Sequence, residues 1–301
     1  MRRRGDRRSL GRGIGAADAA TSVQTLAVLL QAGTAPAAAW RHLAETGDAH
    51  AQAVVARIEA GMPLLPAIEG GGDAWSDVAA AWEIAGIVGA PLAEVLRMIA
   101  EALRDAASAT DDVRIALAEP AGTARILLWM PVAGLLLGFA LGFDTVGIVV
   151  RNPLAAGCVF AGLALMGAAR LWTRRLLRRA EPEPGTPGIR AELTAVALAG
   201  GASVDRAVRL VEESSVREHG DGQRVQAVLD LSRAAGVPAV ELLRAFAAQD
   251  RHAARVQGRL RAARLSTQLL IPLGVCTLPA FLLLGVAPLL LSVLGSTPLL
   301  L

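Results

Sequence analysis

The sequence predicts an all-α membrane protein with two duplicated cytoplasmic helical bundles and three transmembrane helices. Three observations lead to this fold class. The chain has 301 residues, of which 53% are hydrophobic, and its mean hydropathy is +0.46, more apolar than an ordinary soluble domain. Long apolar stretches without charge occur in its middle and at its end. Two pairs of segments repeat along the chain, and no alternating run of β-branched residues predicts a strand.

The chain begins with a basic segment, residues 1–19. It has the positive start of a secretory signal peptide but not the apolar stretch that must follow such a start. We therefore expect a disordered basic tail that can lie on anionic lipid. The first helical bundle is predicted to follow at residues 20–119.

Two apolar stretches follow the first bundle, one between Arg125 and Asp144 and one between Arg151 and Arg170. Each is about as long as the 17 to 25 residues with which a helix crosses a bilayer. We predict transmembrane helices at residues 125–143 and 153–172, joined by a short external loop at 144–152.

The third apolar stretch contains no charged residue or histidine after Arg264. It is long for one upright span, and we predict one tilted helix at residues 268–293, followed by an external tail at 294–301. An Arg- and Pro-rich linker at 173–188 and a second bundle at 189–265 fill the interval between the second and third spans.

Arginines near the spans predict the orientation of the chain in the membrane. They follow the second span and precede the third, whereas the loop between the first two spans holds a single arginine. The protein is thus expected to cross the cell membrane several times, with its N-terminus in the cytoplasm and its C-terminus outside. Four of these arginines could also meet an acidic partner or anionic lipid: Arg174, Arg175, Arg178 and Arg179.

The phrase "GAPLAEVLR" at residues 89–97 returns as "GVPAVELLR" at 236–244. In each copy the glycine can close one helix in the left-handed conformation, and the proline can start the next. The glutamate then lies near the positive end of the helix dipole. The residues that we assign to this repeated turn are Gly89, Pro91, Glu94, Gly236, Pro238 and Glu241.

A second pair of segments aligns residues 26–45 with 194–213. The two alignments require an extra block of sequence in the first copy, between Glu45 and Trp82. We therefore expect a duplicated helical domain whose second copy lacks this block and holds fewer helices.

Three glycines on the first span, Gly134, Gly138 and Gly142, recur at four-residue intervals. Such a strip of small residues allows close contact between helices in a membrane. The contact could lie among the three spans of one chain or between subunits.

The sequence contains no recognisable catalytic apparatus. The chain has no lysine, which excludes a phosphate-binding loop that ends in Gly-Lys, and its four histidines lack the spacing of a zinc helix. The net charge of +3 does not indicate nucleic-acid binding. We predict no enzyme activity and no catalytic, metal-binding or cofactor-binding residues.

The order of bundle, two spans, bundle and span resembles the F family of type II secretion systems. The resemblance rests on helical turns marked by Gly and Pro, in "LLQAGTAPAAAWRHLA", "AGGASVDRAVRLVEES" and the two copies of the repeated phrase. It covers about residues 22–295 and is greatest with the tight-adherence (Flp) pilus branch. Two domains in one chain depart from that branch, which tends to use two separate proteins.

The resemblance implies an inner-membrane platform protein that couples a cytoplasmic secretion ATPase to the assembly of pilin or pseudopilin subunits. It also implies a homo-oligomer, or a complex with a related platform protein. Two alternatives remain at this point, a membrane subunit of a transporter and a membrane-anchored enzyme. Between their flanking charged residues the predicted spans contain no charge, which disfavours transport coupled to protons or ions.

Overall fold

The computed structural model describes residues 4–140, 153–179, 185–216 and 222–287. All regular structure within these ranges is helical, which confirms the predicted all-α class. The helices are α1 (Arg4–Gln31), α2 (Pro36–Glu45), α3 (Ala49–Glu59), α4 (Leu64–Glu69), α5 (Asp73–Val88), α6 (Leu92–Ala140), α7 (Pro153–Arg179), α8 (Ile189–Ala199), α9 (Val204–Glu213), α10 (Gly222–Ala235), α11 (Ala239–Pro272) and α12 (Leu278–Phe281).

The chain forms two compact units. Unit 1 comprises residues 1–112 and 182–257, and unit 2 comprises 113–181 and 258–301. The segments predicted as two bundles therefore both contribute to unit 1. One hydrophobic core joins them, because α8 and α9 add apolar side chains such as Leu193 and Val211 to the core that α1 to α6 build. The predicted bundle boundaries, 20–119 and 189–265, stay predictions.

The N-terminal segment differs from the expected disordered tail. Helix α1 begins at Arg4 and continues without interruption to Gln31. Its arginines favour a helix and no proline interrupts the segment, whereas Gly5, Gly11, Gly13 and Gly15 oppose helix formation.

The two longest helices among the described residues are α6 and α11. Helix α6 runs from Leu92 to Ala140, and α11 runs from Ala239 to Pro272. After α11 the chain stays helical through two π-helical turns, Leu273–Thr277 and Leu282–Val286, on either side of α12. Pro272 and Pro279 have no N–H to donate, and a widened turn follows each of them.

Two candidate membrane spans lie within the described residues, at Ala156–Leu176 and within Ala239–Leu284. They overlap the second and third predicted spans, whose bounds stay predictions. The first predicted span is helical from residue 125 to 140, and residues 141–143 lie outside the described ranges. Helix α7 extends to Arg179, so the first part of the predicted linker, residues 173–179, is helical.

Within unit 2, α7 packs antiparallel to the final helical segment, residues 258–287, which runs from the C-terminal part of α11 to the last described residue. Leu176, near the end of α7, contacts Leu265 and Leu269. Gly162, nearer its start, lies against Leu284, and a Cβ at Gly162 would come within 2.6 Å of the Leu284 Cγ. A glycine at this position thus allows the two helices to approach closely.

Candidate functional site

An ion-pair junction joins α6, α8 and α11 inside unit 1. We use this name for Asp105, Glu192, Arg251 and Arg255. The Arg251 Nη1 donates to Glu192 Oε1 at 2.9 Å, and its Nε lies 3.3 Å from Asp105 Oδ2. The Arg255 Nη2 donates to the other Asp105 oxygen, Oδ1, at 3.0 Å. One arginine thus bridges carboxylates from two helices that are far apart in sequence.

The helical repeat explains this geometry. Arg251 and Arg255 are four residues apart and therefore lie on the same face of α11, where both reach Asp105. Glu192 follows Arg190 and Ala191 at the start of α8, in an otherwise apolar helix that faces the core.

Burial differs between the two halves of the junction. The side chain of Glu192 is 5% exposed and that of Arg251 is 16% exposed, whereas Asp105 is 40% exposed. Removal of one partner from a buried pair costs about 3 to 5 kcal/mol, because the other charge stays buried. The contact between Arg255 and Asp105 is more exposed and is worth about 1 kcal/mol or less. The energetic centre of the junction is therefore the pair of Glu192 and Arg251.

A second charged contact joins α10 to α11. The guanidinium of Arg224 donates to the buried carboxylate of Asp250 and lies over the ring of Phe246, 4.7 Å from its centroid. Asp250 and Arg251 are adjacent in sequence, so α11 uses one turn to pair with α10 on one side and with α6 and α8 on another. This part of α11 is held from three helices.

Unit 1 has a first half, residues 1–112, and a second half, residues 182–257. An aromatic cluster lies in the core of the first half. The ring of Trp40 lies 5.9 Å from that of Trp75 and 6.2 Å from that of Trp82, and the imidazole of His50 stacks on Trp75 at 3.8 Å. Burial lowers the pKa of His50 to about 4, with Arg57 acting in the same direction and Asp48 against it. The neutral imidazole therefore serves as a packing element of this core.

The repeated turn has the same backbone conformation in both copies. Gly89 has φ of 73° and Gly236 has φ of 67°, both in the left-handed region. The carbonyl groups of Pro91 and Pro238 accept hydrogen bonds at the start of α6 and α11, from the N–H groups of Val95 and Leu242. The two glutamates lie in the first helical turns, and Glu241 is within 3.7 Å of Arg244.

The other predicted site residues belong to unit 2. Gly134 and Gly138 are in α6, and Gly142 lies outside the described residues. Arg174 and Arg175 are exposed on α7, and Arg178 and Arg179 belong to the last turn of the same helix.

The sequence analysis missed the junction itself. One signal was available, because Glu192 is a lone carboxylate among apolar residues in "ELTAVALA", which predicts a buried charge in need of a partner. Nothing in the sequence identifies that partner, since Arg251 and Asp105 are separated from Glu192 by whole helices.

The site can hold long helices in a fixed arrangement. Among the described residues, no group of three or more His, Cys, Asp or Glu side chains is placed to hold a metal ion. The junction instead connects α6 to α11 through Asp105, Arg251 and Arg255, which lie several helical turns after the repeated turn in each half. A displacement of α8 would therefore act on both long helices through Arg251.

Comparisons with known proteins place part of the chain in a family. The family model described as "Type II secretion system (T2SS), protein F" matches residues 22–140. The matched segment runs from α1 through the helical part of the first predicted span. No curated protein matches the chain.

Proposed function

Because residues 22–140 belong to the type II secretion system protein F family, we propose that the protein is a platform of a pilus assembly machine. Members of this family are inner-membrane platform proteins of type II secretion and type IV pilus systems, not enzymes. For this chain we propose a tight-adherence (Flp) pilus system, in which the protein couples a cytoplasmic ATPase to the assembly of pilin subunits.

One structural observation, the length of α6, supports the coupling of the soluble helices to the membrane. Helix α6 begins at the repeated turn in unit 1 and continues without a break to Ala140, within the first predicted span. The chain stays helical through Pro120 and Pro131, neither of which donates a backbone hydrogen bond. Such a helix can carry a displacement along its axis, because the rest of its backbone is hydrogen-bonded and resists shortening. A push on the soluble helices would thus reach the membrane.

We further propose three spans, with unit 1 in the cytoplasm and the C-terminus outside. The opposite directions of α7 and the final helical segment support this topology, as do the exposed Arg174 and Arg175 on α7. A reporter enzyme that is active only on the external side of the membrane should be active when fused after residue 301. The same reporter should be inactive when inserted after Pro187, in the cytoplasm.

The first test is a pull-down of the tagged, full-length protein from its own membranes in mild detergent. We expect mass spectrometry to find a secretion-type ATPase together with small pilin-like proteins. Recovery of a nucleotide-binding transport subunit instead, or of no partner after gentle crosslinking, would contradict the platform function.

A second test addresses transmission through α6. Ala116 is exposed on this helix, one turn before Pro120. The change Ala116→Pro removes a second backbone hydrogen bond from this stretch and adds a kink, at a cost of about 3 kcal/mol. We expect this variant to insert in the membrane and to retain the ATPase but to assemble no filaments. Ala116→Ser, at the same position, should assemble them. Normal filaments with Ala116→Pro would exclude α6 as the transmitting element.

A further inference from the structure

A surface groove opens in the second half of unit 1 between α8, α9 and α10. Its walls include the apolar side chains of Val208, Val211 and Val225, and its margin carries Arg190, Glu212 and Gln226. An apolar centre with a polar margin is the composition of a protein-binding surface.

The surface that is open in this groove is equivalent to a surface of the first half that a helical hairpin, α3 and α4, covers. The repeat alignment pairs Trp40 with Val208 and Leu43 with Val211, and continued along α5 and α10 it pairs Trp75 with Gly222. In the first half, α3 and α4 pack against α2 and α5 and help to enclose Trp40 and Trp75. The groove is thus the surface that this hairpin would cover.

The second half has no such hairpin of its own. Residues 46–72 hold α3 and α4 in the first half, whereas residues 214–221 alone connect α9 to α10. The block of sequence that forms the hairpin in the first half is therefore missing from the second. Moreover, a valine and a glycine stand where the first half has two tryptophans, so the side chains that fill this region in the first half are missing from the second.

Charge indicates the chemistry of the occupant. In the first half, Ser22 donates a hydrogen bond to the carboxylate of Asp48, which also caps the N-terminus of α3 by accepting from the Ala51 N–H at 2.7 Å. The alignment pairs Ser22 with Arg190. A guanidinium at this position would therefore meet an acidic capping residue of an incoming helix and form a charge-assisted contact with it.

We propose that the groove binds a short amphipathic helix of a partner protein. This helix has small apolar residues on one face, as α3 has Ala51 and Val54, and an acidic residue at its N-terminal cap that pairs with Arg190. The inference goes beyond the proposed function and does not depend on it, because it follows from the difference between the two halves of unit 1.

A peptide with the sequence of residues 47–70 is the first probe, since it contains the hairpin that fills the equivalent surface. Its binding to the full-length protein in detergent can be measured by fluorescence anisotropy. We expect saturable binding that Val208→Arg weakens about tenfold or more. Leu231→Arg, an exposed position of α10 outside the groove, should leave it unchanged. Equal binding to the Val208→Arg variant would assign the peptide to another surface and overturn the proposal.

A charge exchange tests the contact with Arg190. Arg190→Glu should weaken binding of the natural peptide about tenfold, and a peptide with Asp48→Arg should recover most of that loss on the variant protein. The Asp48→Asn peptide is the matched control, because asparagine still caps a helix but has no charge. If the exchanged pair binds no better than the single changes, the acidic cap is not part of recognition.

A photo-crosslinking residue at position 226 then identifies the natural occupant in cells. The proposal expects a crosslink to a partner segment with an acidic residue followed by Ala or Val at helical spacing. A crosslink to residues 214–221 of the same chain, or to lipid, would overturn it.

Discussion

The two halves of unit 1 begin from the same repeated sequence and build cores of different size. The first half encloses Trp40, which is 0% exposed, together with Trp75 and Trp82. The second half has Val208 and Gly222 at the first two of these positions, and its own core cluster contains Val225, Leu229 and Leu243 with small alanines. The repeated turns nevertheless keep the same left-handed glycine.

The difference in core size suggests that the two copies of the repeat have different roles. Hairpin α3 and α4 lets the first half bury large aromatic side chains, which contribute most to core stability. The second half buries less and leaves a groove open, but it supplies Glu192 and Arg251 to the ion-pair junction. We infer that the first half stabilises unit 1 and that the second half is the adaptable part.

The largest expected effect comes from the aromatic core. Trp40→Ala should lower the free energy of unfolding by about 3 to 5 kcal/mol, because it leaves a cavity among fixed neighbours. The equivalent change in the second half, Val208→Ala, should cost about 1 kcal/mol or less, since this side chain is half-buried. Denaturant unfolding of the full-length protein in detergent measures both. Similar costs would show that the halves contribute equally.

Removal of the buried carboxylate should have the next largest effect. Glu192→Ala should cost about 3 kcal/mol, the lower end for a buried pair, because Arg251 keeps its contact with Asp105. The control is Glu241→Ala, which breaks an exposed contact with Arg244 and should cost about 0.5 kcal/mol or less. The same unfolding assay measures both variants. An equal cost would show that the buried pair of Glu192 and Arg251 contributes no more to stability than an exposed contact.

The repeated turn should respond alike in both halves. Gly89→Ala and Gly236→Ala should each cost about 1 to 2 kcal/mol, because alanine is strained at these positive φ values. Gly86 is the matched control, since it lies within α5 and a Cβ there would meet nothing within 4 Å. Gly86→Ala should stabilise the protein by about 0.5 to 1 kcal/mol. A shift in thermal midpoint opposite in sign to these would contradict the assigned turn geometry.

A pH dependence of stability is expected from one partly buried residue of the first half, His50. The folded state holds the pKa of His50 at about 4, below its usual 6.5, so the unfolded state binds a proton first as the pH falls. Stability should therefore decrease as the pH is lowered from about 6.5 to 4, through this residue. His50→Gln should flatten that part of the profile, whereas His42→Gln, an exposed change on α2, should not. An unchanged profile in the His50 variant would assign the slope elsewhere.

Local features of the site could be predicted better than its long-range contacts. The glycines of the repeated turn were found because a left-handed helix end has a strong local preference for Gly. The extra block in the first half was found because two alignments required it. Neither alignment could reveal that Arg251 reaches both Glu192 and Asp105, because that contact depends on how three separate helices pack.

The sequence by itself determined the helical class, the repeat, the candidate spans and the family resemblance. These features depend on local periodicity and on apolar length, which are properties of short segments. The tertiary structure decided that both repeats share one core and that a groove replaces a hairpin in the second half. It also decided which buried charges meet. Those outcomes depend on contacts between residues far apart in sequence, where packing volume and charge pairing select one arrangement among many that the same helices could adopt.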